Sequence, residues 1–309
     1  MKKILIILIT IILIVNLTGC SNNDNNSKIS IIATSFPGYD FARAIVKDVD
    51  DVNIKMLLKP GSEMHDYEPT PKDIININNS DIFIYVGGDS DSWIDDILKT
   101  VDTNKTKIVK LMDLVDVKKE EIVEGMEVSK SDEDEYDEHV WTSPVNAITI
   151  INKLKNIIED IDYDNILLYE KNATAYINQL NNIDNEIKDI VKNAKRNELV
   201  FGDRFPFRYF ALEYNLTYYA AFNDCSDATE ASTKTVSFLI NKVKSDKIPV
   251  VLKIELSNGN IANTIAKETG AKVLELASAH NISSSDFDSG ITYVDIMKNN
   301  IEVLKEALN

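Results

Sequence analysis

The hydropathy pattern of this 309-residue chain predicts an α/β protein of two lobes, each a mainly parallel sheet covered by helices, joined by one long linking helix. Short apolar runs that do not alternate recur in both halves of the chain, with helical periodicity between them, which is the pattern of strands buried on both faces. Between the two sets runs an amphipathic stretch, residues 165–192, in which Tyr176, Leu180, Ile183, Ile187 and Ile190 recur at three- and four-residue spacing. At 1.5 Å per residue it is about 40 Å long, enough to pass from one lobe to the other.

Residues 1–19 read as an export leader: Lys2 and Lys3, an almost unbroken apolar run from Ile4 to Val15, then Leu17-Thr18-Gly19-Cys20. The run is shorter than the roughly 20 residues a spanning helix needs. A small-residue turn ending at cysteine is the lipoprotein pattern, so Cys20 is the expected lipidation site and the chain is expected outside the cytoplasm, anchored to a bacterial cell membrane. Residues 20–28 are the lipidated cysteine and a polar, Asn-rich tether. Loss of Lys2 and Lys3 takes the net charge from -17 to -19, since 31 basic residues then face 50 acidic ones. Such a body repels nucleic acid and suits a cation. With Cys20 lipidated only Cys225 remains, so no intrachain disulfide is expected.

The first lobe, residues 29–164, follows from "ISIIAT" at 29–34, a helix over 39–47, "VNIKMLL" at 52–58, a helix opening at Pro71, "DIFIYVGG" at 81–88, an amphipathic segment from Trp93 and "KIVKL" at 107–111. Residues 112–138 break this rhythm, and 130–138 are mostly acidic, a solvated loop. Ser143-Pro144 then pairs a cap with proline at the first helical position. After the linking helix the second lobe, residues 193–309, repeats the pattern. Strands are expected at "ELVFG" (198–202), "LTYYAAF" (216–222), "IPVVLKIEL" (248–256) and "AKVLEL" (271–276), with helices near 205–214, at 230–244 and 260–268, and at the close, 293–308.

Parallel sheets bind ligands outside the carboxyl ends of their strands, so the cleft between the lobes is the expected site. The chain holds three histidines, His65, His139 and His280, all in expected loops, two of them directly after strands. Imidazole with carboxylate is the donor set of zinc, and added carboxylates move preference toward manganese. Asp203 and Glu255 are the carboxylates in matching post-strand positions; three histidines alone leave a four-coordinate site one donor short. Asp66 is a neighbour that orients or charges the site.

"LLKPGSEMHDYEPTPKD", "DEHVWTSPVNAI", the lipoprotein cysteine and the long helix together resemble the metal-specific substrate-binding proteins of zinc and manganese ABC importers, over essentially the whole mature chain. The resemblance places the first two metal histidines on His65 and His139. It puts a third histidine where this chain has Asp203-Arg204, before "FPFRYFALEYNL", and an acidic ligand near Glu275 and "LASAHN", which makes His280 the candidate for the fourth position. The usual order of the second-lobe donors is then partly exchanged. Glu255 matches a family glutamate and is read either as a ligand or as a support for a ligand or loop. The resemblance implies a monomer with no enzymatic activity that captures Zn2+, with Mn2+ the alternative, and delivers it to an ABC permease. A zinc-dependent hydrolase lacks a general base on a fixed element and any HExxH-like stretch; a surface adhesin is the remaining alternative.

Overall fold

The computed structural model describes residues 29–62, 67–126, 135–223 and 231–309. The leader, Cys20 and its tether, His65, residues 127–134 of the acidic loop and Cys225 lie outside the described residues.

The first lobe is built from β1 (Ile29–Ala33), α1 (Phe36–Ile45), β2 (Val52–Met56), α2 (Pro71–Asn79), β3 (Ile82–Tyr85), α3 (Ile94–Leu98) and β4 (Lys107–Lys110). Its strands lie in the order β2-β1-β3-β4, all parallel, with Ile31 opposite Ile54 on one side and Ile82 on the other. Helices α4 (Pro144–Glu159) and α5 (Ile166–Asn193) follow. The second lobe then comprises β5 (Glu198–Phe201), α6 (Arg208–Glu213), β6 (Thr217–Ala220), α7 (Thr233–Asp246), β7 (Val250–Lys253), α8 (Asn260–Thr269), β8 (Lys272–Glu275), α9 (Ser284–Ser289) and α10 (Tyr293–Ala307). Its strand order, β6-β5-β7-β8, repeats the first. Each sheet therefore has one switch point, between β1 and β3 and between β5 and β7, where a crevice opens at the strand ends.

Local chemistry starts α2 and α4 where the sequence expects. Thr70 and Asp73 form a reciprocal cap before α2, Asp73 N donating to Thr70 Oγ1 (3.3 Å) and Thr70 N to Asp73 Oδ2 (3.2 Å), worth about 1 kcal/mol. Ser143 Oγ accepts from Asn146 N at 3.3 Å ahead of Pro144. The first helix begins at Phe36, before the expected residue 39, because Pro37 is tolerated in a first turn. Gly38 lets that helix lie against β3, since a Cβ there would meet Ile84 Cγ2 at 2.9 Å. The helix expected from residue 205, with Pro206 near its start, instead begins at Arg208. Phe205 and Phe207 are spent on packing: both are buried, and Phe205 stacks on Tyr218 with ring centroids 3.5 Å apart.

One apolar core runs through both lobes, including Ile31, Leu154, Tyr169, Leu180, Leu252 and Tyr293, while the outer face of each sheet has its own smaller cluster. The 28-residue α5 touches both halves. Asn172 Nδ2 donates to Ile45 O (3.0 Å) and Lys47 O (2.6 Å), and Tyr214 OH donates to Asp184 Oδ1 (3.0 Å). Buried Asp40 on α1 ties three elements: it accepts from Tyr176 OH on α5 and from Tyr293 N at the start of α10 (2.9 Å), and pairs with Arg43. Burial pushes its carboxyl up, opposed chiefly by Arg43. Among the described residues no helix is long and apolar enough to cross a membrane.

Candidate metal centre

The segment leading into α4 returns from the acidic excursion as a short extended pair. Glu120 N donates to Glu135 O (3.0 Å) and Asp137 N to Lys118 O (3.0 Å). This delivers Asp137, Glu138 and His139 into the interior, His139 fully buried and Glu138 1% exposed. Asp137 Oδ1 accepts from His139 N (2.8 Å) and from His139 Nδ1 (3.2 Å), which fixes the ring and leaves Nε2 as the nitrogen able to serve a cation. Glu138 Oε2 accepts from Ser90 N at 3.2 Å, and its Oε1 accepts from Ser90 Oγ. The Gly87-Gly88 turn makes room for this carboxylate: a Cβ on Gly88 would sit 2.1 Å from Glu138 Oε2. Asp91 holds the same turn, accepting from Val86 N (2.7 Å) and Gly87 N (3.1 Å), and burial pushes its carboxyl up to about 6.

His280 comes from the loop between β8 and α9. Ala279 before it has φ +61°, the left-handed region that non-glycine residues avoid. The loop is held from its own lobe by Glu255, which accepts from Ser278 N (2.6 Å), Ser278 Oγ (2.6 Å) and His280 N (3.0 Å). From the other side, Trp141 Nε1 donates to Ser278 O (2.8 Å), and Asn281 Nδ2 donates to Lys59 O (3.0 Å) and Ser62 O (2.6 Å). Gly61 N donates to Ile282 O at 2.7 Å.

The result is a meeting of both lobes. The His139 and His280 rings lie edge to face, 5.1 Å between centroids, and Trp141 packs 5.2 Å from the first and 5.0 Å from the second. Glu138, His139 and His280 each offer a ligand atom, all within 4.8 Å of one another. Two imidazoles and a carboxylate suit a borderline divalent ion such as zinc and leave one position of a tetrahedron for another donor.

His139 and His280 are thus brought together as the sequence leads one to expect. His65 lies outside the described residues, although Ser62, three positions before it, bonds the residue that follows His280. Asp203 and Glu255 do not join the group formed by Glu138, His139 and His280. Asp203 turns the chain after β5: its carbonyl accepts from Ala221 N (3.1 Å) and its Oδ1 from Arg204 N (3.0 Å). Burial pushes its carboxyl up, against the Ser257 hydroxyl and nearby backbone amides. Glu255 has its carboxylate engaged by the His280 loop, and burial raises it too. Both residues line a cavity of about 180 Å³ at the switch point of the second sheet. Glu138 is the residue that sequence reasoning missed. The signal available was a carboxylate directly before His139 in "DEHVW", hidden in a run of acids that reads as a solvated loop.

Two like lobes around a shared core, meeting at side chains fit for a metal and spanned by one long helix, define a two-lobed solute-binding protein. The chain belongs to the ZnuA family (zinc-uptake complex component A, periplasmic), which matches residues 31–307. It is 32% identical to the high-affinity zinc uptake system protein ZnuA of Bacillus subtilis over 294 residues, 94% of this chain and 91% of that protein. It is 31% identical to the zinc-binding lipoprotein AdcA of Streptococcus pneumoniae over 317 residues, 99% of this chain, and spans 61% of that relative's length. Among solved structures, the metal-dependent lipoprotein YcdH from Bacillus subtilis superposes with a TM-score of 0.77 at 30% identity, covering 91% of this chain and 100% of that one. The Zn(II)-bound ZnuA-like domain of Streptococcus pneumoniae AdcA gives 0.75 at 28% identity, covering 91% and 99%. The family is one of solute-binding proteins and not of enzymes.

Proposed function

We propose that this protein captures a divalent transition metal, Zn2+ before Mn2+, between its lobes and hands it unchanged to an ABC importer permease. The observation that carries the reading is the convergence of His139 and His280, one from each lobe, with Glu138 beside them. Two imidazoles favour zinc over manganese, and the relatives named for zinc binding and zinc uptake support the same preference. His65 is the fourth donor in this reading, with Asp203 the alternate oxygen donor. Capture and delivery call for no catalytic base; the protein acts by affinity and release, as a monomer tethered through a lipid on Cys20. Because ligand imidazoles must be neutral, zinc is expected to dissociate as the pH falls through the histidine range.

The test is a competitive titration of zinc and manganese into metal-stripped protein beginning at residue 21, with bound ions counted by elemental analysis. One tight equivalent, preferring zinc and lost in His139→Ala and His65→Ala, is the expected result, and Asp203→Asn in the same titration decides whether that carboxylate takes part. Wild-type affinity in both histidine variants would remove the proposed site.

A further inference from the structure

We propose that Glu255 is the positioning residue for His280: its carboxylate holds the loop that aims the imidazole at His139 and is not itself a ligand. The role rests on the reading of His280 as a ligand. Three donors close on this one carboxylate, Ser278 N, Ser278 Oγ and His280 N, all within 3.0 Å. They bracket Ala279, the residue in the left-handed conformation, so the bonds fix the strained peptide that sets the direction of His280. Beside the loop lies a cavity of about 320 Å³ lined in part by Glu255, Ala277, Asn281 and Ile282, so on this side the Glu255 bonds add to incomplete packing. Glu255 lies in the turn two residues after β7, and the loop leaves β8, the strand beside β7, so the anchor and the loop emerge side by side from one sheet. The carboxylate is committed to this loop and does not join the group formed by Glu138, His139 and His280.

A double-mutant cycle on the chain from residue 21 separates positioning from ligation. Zinc affinity is measured by competition for the wild type, Glu255→Gln, His280→Ala and the pair. A positioning role predicts that Glu255→Gln weakens zinc by about 10- to 100-fold in the wild-type background. In the His280→Ala background the same change then costs less than about twofold. An equal loss in both backgrounds would overturn the proposal, because a ligand, or a residue needed only for general folding, acts whether or not His280 is present. No change of zinc affinity in His280→Ala alone would instead strike the ligand assignment on which this role rests. If Glu255→Gln does not fold, Ser278→Ala takes its place in the cycle. It removes one of the three bonds and leaves the carboxylate intact, and a loss of about three- to tenfold confined to proteins that retain His280 is expected. A Ser278→Ala loss of the same size without His280 would overturn the proposal.

Discussion

In the first lobe the cleft side chains are held from inside their own lobe: Asp137 grips His139 two residues on, and Ser90 donates to Glu138 from the turn that Asp91 fixes. In the second lobe the matching place is held from both lobes. Glu255, after β7 as Asp91 is after β3, spends its carboxylate on a loop from the adjacent strand, and that loop is bonded again to residues 59–62 of the other lobe. One strand order, used twice, therefore gives a buried half-site and a half-site carried on a loop with a half-buried histidine. Under the proposed function the difference would give the lobes separate tasks: the first would offer a buried pair of donors, and the second the donor whose loop sets how long an ion stays.

The largest expected break of this contrast is in the preformed half. His139→Ala should lower zinc affinity by more than the roughly 100-fold typical of an outer contact, as read by competition titration. A smaller loss than that of His280→Ala would reverse the assigned roles.

Asp91 gives a stability test confined to the first lobe. Its carboxyl, at about 6 in the fold against 3.8 as the ordinary value, binds a proton more tightly folded than unfolded. The stability this lends is present below about pH 4 and is lost as the pH rises through 6, a change of at most about 3 kcal/mol. Asp91→Asn, whose amide oxygen still accepts from Val86 and Gly87, should remove this part of the slope in urea titrations. An unchanged slope would show that Asp91 is not the group responsible.

Across the lobes, Asn281→Ala leaves two carbonyls without their buried donor and should cost about 2 kcal/mol of stability. Stopped-flow zinc release should be faster in this variant; an unchanged rate would mean that the bonds to 59–62 do not govern residence. The smallest effect is expected for Asp137→Asn, which keeps an acceptor for His139 but removes the charge. Zinc should weaken about tenfold with the melting temperature near that of wild type.

The sheets and the long helix were legible because their signals are local: apolar runs such as "IFIY" and the spacing from Tyr176 to Ile190 in α5 each sit within one element. His139 and His280 were legible by rarity, in a chain with three histidines. What was not legible depends on distant contacts. Phe205 and Phe207 withdraw from an apparent helix because they pack on Phe201 and Tyr218. Glu138 looks like one more acid in an acidic loop until Ser90, 48 positions earlier, meets it. The contacts that bear on the Glu255 alternatives, ligand or support, are also distant: the donors around the left-handed Ala279 lie 23 and 25 positions away.

The most direct test of a metal centre shared between the lobes is anomalous diffraction at the zinc edge from crystals of the zinc-loaded protein. One strong peak is expected at about 2.0–2.1 Å from a ring nitrogen of both His139 and His280. A peak bound by Asp203 and Glu255 and away from both histidines would contradict it.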